Sequence, residues 1–146
     1  VTYIVREDAE LEIVRNSKDI GGWTLFDSRF VCHPGSKVTV KFKNEGSQYS
    51  QENFYFKCSS NVEVDLIGRN NIKKGNEYHQ FVQLKSQNDS NKSVIDIKNV
   101  GNENANTSFI GKYDVSPFSI GFDGQMSNEN LMLTKNLMRL KNVWKT

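Results

Sequence analysis

The residues with chemical reach are few. Cys32 and His33 are neighbours, Cys58 stands alone, and His79 comes later. A thiol beside an imidazole is the make-up of a cysteine nucleophile with its base, and two Cys with two His are ligand types for tetrahedral zinc. Spacing argues against both. Consecutive strand residues point to opposite faces, so Cys32 and His33 do not meet side chain to side chain. Zinc ligands tend to come in close pairs, and positions 32, 33, 58 and 79 hold none of that kind. Two cysteines on apolar faces instead suit one disulfide, Cys32–Cys58. Its loop of about 26 residues would remove roughly 3–4 kcal/mol of unfolded-state entropy. Such a bond expects a secreted, extracellular protein.

The second set is basic and aromatic. If the segments 37–43 and 53–59 pair as neighbouring strands, Lys41, Lys43, Tyr55 and Lys57 share a solvent face. Lysines beside an exposed ring suit a sulfated glycan, a phosphate or an acidic protein. Trp23 follows the flexible pair Gly21-Gly22, and Tyr49 sits in the polar stretch Gly46 to Glu52. Rings flanked by amides and hydroxyls are what a sugar- or protein-binding loop needs. Trp23, Tyr49, Tyr55, Lys41, Lys43 and Lys57 are therefore the candidate ligand-binding residues.

Other chemistry is thin. The stretch Asp123 to Glu129 has oxygen ligands but lacks calcium-loop spacing. No nucleophile elbow, phosphate loop, dinucleotide fingerprint or paired-histidine metal motif occurs. No catalytic residue, metal or cofactor is predicted. Dispersed carboxylates keep a small glycosidase-like hydrolase as an alternative, since such a pair needs no local signature.

Composition bounds the partners. The net charge of +2, from 19 basic and 17 acidic residues, is too balanced for wholesale nucleic-acid binding. No apolar run is long enough to span a bilayer as a helix. Val1 in place of Met reads as a processed or a trimmed chain. Asparagine is frequent, 17 of 146 residues. Three Asn-x-Ser triplets begin at Asn88, Asn91 and Asn106, all in predicted loops, as in a secreted glycoprotein.

The elements that must position these residues alternate with period two. Val38, Val40 and Phe42 share one face, as do Phe54, Phe56 and Cys58, and then Val62, Val64 and Leu66. Turn residues separate further candidate strands at Gly21-Gly22, Pro34-Gly35, Asn44 to Gly46, Asn70-Asn71, Gly75-Asn76 and Asp123-Gly124. No internal repeat is visible. About eight to ten short strands with one wet face predict a single all-β domain over residues 1–146, an antiparallel β-sandwich of jelly-roll or Ig-like type, with a closed β-barrel as alternative. Leu133, Leu137, Leu140 and Trp144 fall on one helical stripe, so a short C-terminal helix is expected; a final strand is the other reading. Together these features describe a secreted, non-enzymatic module that recognises a glycan or an extracellular protein. A structural assembly protein with exposed strand edges is a further alternative.

Overall fold

The structure, a computed structural model, describes residues 1–18, 21–45, 48–132 and 139–145. Among them run eleven strands: β1 (Thr2–Val5), β2 (Glu10–Lys18), β3 (Trp23–Cys32), β4 (Lys37–Glu45), β5 (Tyr49–Cys58), β6 (Glu63–Ile72), β7 (Glu77–Ser86), β8 (Lys92–Gly101), β9 (Asn106–Val115), β10 (Asp123–Met132) and β11 (Arg139–Lys145). Odd strands form a six-stranded sheet in the order β1-β3-β5-β7-β9-β11. Even strands form a five-stranded sheet in the order β10-β8-β6-β4-β2. Every pairing between these strands is parallel. The chain crosses to the other sheet at each corner and returns beside itself one coil later. This is a β-solenoid.

The antiparallel sandwich and the closed barrel are thereby overturned. The alternation places Val38, Val40, Phe42, Phe54, Phe56, Val62, Val64 and Leu66 inside, as expected, and all are buried. Yet period two looks the same whichever direction the neighbouring strand runs. Strands adjacent in sequence do not pair; each pairs with one a coil away. The offset runs from 26 residues, Trp23 beside Tyr49, to 33, Asn106 beside Arg139. The coil is the internal repeat that the sequence does not display, because its length drifts and different apolar residues fill equivalent positions.

The corners carry a clearer repeat. Where the six-stranded sheet passes to the five-stranded one, Asp8, Gly35, Asn61, Ser90 and Gly121 have φ of 56°, 75°, 52°, 61° and 70°. The first four each donate a backbone N–H to the next corner, to the carbonyls of Pro34, Ser60, Asp89 and Ile120, at 2.8–3.0 Å. The corners therefore stack in register like the strands. Glycine tolerates this left-handed region freely and Asn and Asp better than most residues, which gives part of the asparagine excess a backbone role. At Gly35 a side chain would also collide with Asp8 Oδ1.

Inward side chains form ladders along the coil axis. Tyr3, Phe30 and Phe56 stack at centroid distances of 4.9 and 4.7 Å, each pair 14° from parallel. Toward the opposite corner the interior turns polar. Asn44, Asn70, Asn99 and Asn130 occupy one rung of the five-stranded sheet, with Asn70 Nδ2 donating to Asn99 Oδ1 at 2.8 Å and Asn99 Nδ2 to Asn130 Oδ1 at 2.9 Å.

Further expectations change in detail. Asn70-Asn71 and Asp123-Gly124 lie within strands, while Phe118 to Phe122, read as a strand, is a corner. The C-terminal helix is replaced over Arg139–Lys145 by strand β11 against β9. Leu133 and Leu137 lie outside the described residues.

Candidate functional site

The corner that ends β3 and β5 holds the cysteines. Cys32 and Cys58 are register partners on adjacent strands, each 1% exposed. Both are free thiols, so the expected disulfide is not present. The Cys58 thiol is pushed far up by its hydrogen bond to Cys32 and by burial, and it stays protonated. A buried, protonated thiol is neither a nucleophile nor a ready metal ligand. His33 is exposed, while His79 lies on a different strand facing outward, so no Cys–His pair forms. Among the described residues no group of three or more His, Cys, Asp and Glu could hold a metal ion.

Sequence reading missed the buried polar network at the other end of the strands. Glu52, 0% exposed, points inward from β5. Arg15 reaches it across the interior from β2 as an ion pair, and the Tyr78 hydroxyl donates to its other oxygen. Gln80 Nε2 donates to Tyr78 Oη at 3.1 Å. The Arg15 guanidinium lies 4.0 Å from the Phe26 ring centre. Burial raises the Glu52 carboxyl above its usual range, against the opposing pull of Arg15 and the Tyr78 hydrogen bond. Burial and the Glu52 charge hold the Tyr78 hydroxyl protonated as a donor. Glu52 sits at an inward position of the alternation, the one signal that could have marked it.

Four of the six candidate ligand-binding residues lie together on the outward face of the six-stranded sheet. Trp23, 82% exposed, packs on Tyr49 at 5.1 Å, and Tyr49 on His79 at 5.3 Å. The His79 ring bonds Ser108 Oγ through Nδ1 at 2.6 Å. Further along the same strands, Tyr55 packs on Phe81 at 5.5 Å and lies 4.9 Å from the Arg29 guanidinium. Lys57 follows Tyr55 on the same face and is exposed.

Lys41 and Lys43 do not belong to that surface. They project from β4 on the outward face of the other sheet, because β4 and β5 are in different sheets. There Lys41 pairs with Glu12 at 3.9 Å and Lys43 with Glu45 at 3.7 Å. The expected shared lysine–tyrosine face is thus split in two.

The Asn-x-Ser triplets also separate. Asn88 is exposed in a corner, while Asn106 opens β9 and donates to Glu77 Oε1 at 3.5 Å. Asn91 is buried and pins its corner. Its Oδ1 accepts from Val62 N at 3.0 Å, and its Nδ2 donates to Ser59 O at 3.0 Å and Ser86 Oγ at 2.8 Å. An amide so used in the folded protein is a structural staple, unsuited to carry a glycan.

Residues 1–138 match the family model described as SUF system FeS cluster assembly, SufBD core domain. No curated protein and no solved structure gives a significant match. The family match overturns the secreted glycan- or protein-recognition module and its hydrolase and assembly-protein alternatives: the system concerned builds Fe–S clusters, in a cytoplasmic pathway. With nearly the whole length matched, the chain belongs to the SufBD core domain family of the SUF system for FeS cluster assembly.

Proposed function

We propose that this chain is a rigid scaffold module of an Fe–S cluster assembly system, and that it holds a protein partner of that system on the outward face of its six-stranded sheet. The observation that carries the reading is the family match over residues 1–138. The solenoid suits the role: each coil is bonded to the next along both sheets and at the corners, so side chains several coils apart keep fixed positions. Trp23, Tyr49 and Tyr55 are the anchors, since large rings with a polar handle dominate protein interfaces. The cluster is cargo in this scheme. The module contributes position, because its two thiols are buried and at least Cys58 stays protonated.

Co-purification tests it. The tagged chain is expected to retain at least one other SUF-system protein from the same source, and Trp23→Ala with Tyr49→Ala is expected to weaken that complex tenfold or more, about 1.4 kcal/mol. Failure of every SUF-system protein to co-elute overturns the scaffold reading. Undiminished binding by the double variant overturns the choice of face.

A further inference from the structure

Beside the aromatic ladder, the outward face of the six-stranded sheet sets two lysines side by side; the cations Lys43, Arg69 and Lys98, neighbours on the other sheet, each pair with an acid. Lys57 on β5 and Lys85 on β7 are register partners, both exposed. Their strands are about 4.8 Å apart, so two ammonium groups leave the sheet side by side. Like charges directly opposite one another destabilise a sheet. Among the described residues neither lysine makes an ion pair. One acid, Asp114, neighbours Lys85 on its far side, and Val31 neighbours Lys57. Arg29 approaches from β3, its guanidinium drawn over the Tyr55 ring and 3.3 Å from Asp27 Oδ1.

These side chains border a shallow groove of about 330 Å³, lined by Arg29, Val31, Tyr55, Lys57, Gln83 and Lys85 above the core rings. That is room for a small molecule. Its polar rim is rich in donors: two ammonium groups, a guanidinium, a phenol and an amide. A carboxylate carries one charge and answers one lysine. A phosphate at neutral pH carries close to two and has oxygens enough to bond both.

We propose that this groove binds a phosphate-bearing small molecule, with Lys57 and Lys85 holding the phosphate and Arg29, Tyr55 and Gln83 bordering the rest. The site depends on the register of β5 against β7 and not on the module's role in cluster assembly. Two consequences are linked: the anion binds here, and without it the lysine pair costs stability.

Calorimetric titration of the chain with pyrophosphate and with inorganic phosphate, at constant ionic strength, tests the first; thermal unfolding with and without anion tests the second. Pyrophosphate is expected to bind with a Kd below about 1 mM and to raise the unfolding midpoint. Lys57→Gln or Lys85→Gln should each weaken binding at least about fivefold, as expected for loss of a charge-assisted contact. The Lys57→Gln/Lys85→Gln double variant should give no heat, yet unfold at a higher midpoint than the parent in anion-free buffer. Lys41→Gln/Lys43→Gln, on the opposite face, should bind like the parent. Absence of heat with the parent, undiminished binding by the double variant, or a lower anion-free midpoint for it would overturn the proposal. So would tighter binding of a glutamate-rich peptide than of pyrophosphate, which assigns the groove to an acidic protein segment.

Discussion

On the five-stranded sheet the outward rung Glu10–Lys37–Glu63–Lys92–Asp123 changes sign at every strand. Cations also stand together on both sheets, Lys43–Arg69–Lys98 on the five-stranded one and Lys57–Lys85 in the rung Val31–Lys57–Lys85–Asp114 of the six-stranded one. The first face answers its own charges: Lys37 meets Glu63 at 3.8 Å, Lys98 meets Glu129 at 3.5 Å and Arg69 meets Asp96 at 2.9 Å. The second carries Trp23, Tyr49, Tyr55 and a lysine pair that, among the described residues, makes no ion pair. Both faces ride on the same parallel ladder with the same alternation. Their difference lies wholly in the outward side chains, so one solenoid can keep one face quiet and leave the other for contacts.

The largest test removes the interior on which both faces stand. Glu52→Ala leaves Arg15 and Tyr78 without their shared partner and is expected to cost about 3–5 kcal/mol, read as a fall in the urea midpoint with the slope retained. Loss much below that range would mean the network is not a common support. Next comes Asn91→Ala, which strips one corner of its staple and leaves backbone donors and acceptors unmet. A cost of about 1–3 kcal/mol is expected, and a stability within error of the parent would show that the corner holds without it.

Two smaller tests separate the faces themselves. Lys37→Glu sets a third acid between Glu10 and Glu63 on the same rung and should cost about 0.2–1 kcal/mol for each pair disturbed, shrinking as salt is added. Trp23→Ala should change stability by less than about 0.5 kcal/mol, as for an exposed residue, while weakening the partner complex. If the order of these two stability effects reverses, the assignment of a structural face and a contact face is wrong.

Acidity probes the interior in a way neither face can. The folded chain keeps a proton on Glu52 to higher pH than the unfolded chain does, since burial raises its carboxyl. The stability from this group is therefore fully present below the ordinary carboxylate range and is lost as pH rises through the raised value. Glu52→Gln should flatten that part of the urea-midpoint profile, and an unchanged profile would assign the slope to other carboxylates.

Much of this was legible before any fold was known. The inward places of Val38, Val40, Phe42, Phe54, Phe56, Val62, Val64 and Leu66 followed from period two. Trp23 and Tyr49 were marked as candidates from ring type and polar surroundings, Tyr55 and Lys57 from an outward strand face, and the structure puts these four on one face. Lys41 and Lys43 were joined to them because strands near in sequence were taken to pair. Cys32 and Cys58 were rightly read on apolar faces, and their closeness was right too. The bond between them was inferred from that shared apolar placement, and the secreted compartment from the bond; the structure has two free thiols, and the family overturns the compartment.

The sequence by itself determined which side chains face in and which face out, because alternation is a local property of extended backbone. It also determined where left-handed corners are affordable, at Gly35, Asn61 and Asn104 among others. Only the tertiary structure decided which strand lies beside which. A ladder hydrogen bond joins residues 26 or more positions apart here, and alternation is the same for a parallel and an antiparallel neighbour. Register across that distance brings Arg15 to Glu52, Cys32 to Cys58 and Lys57 to Lys85.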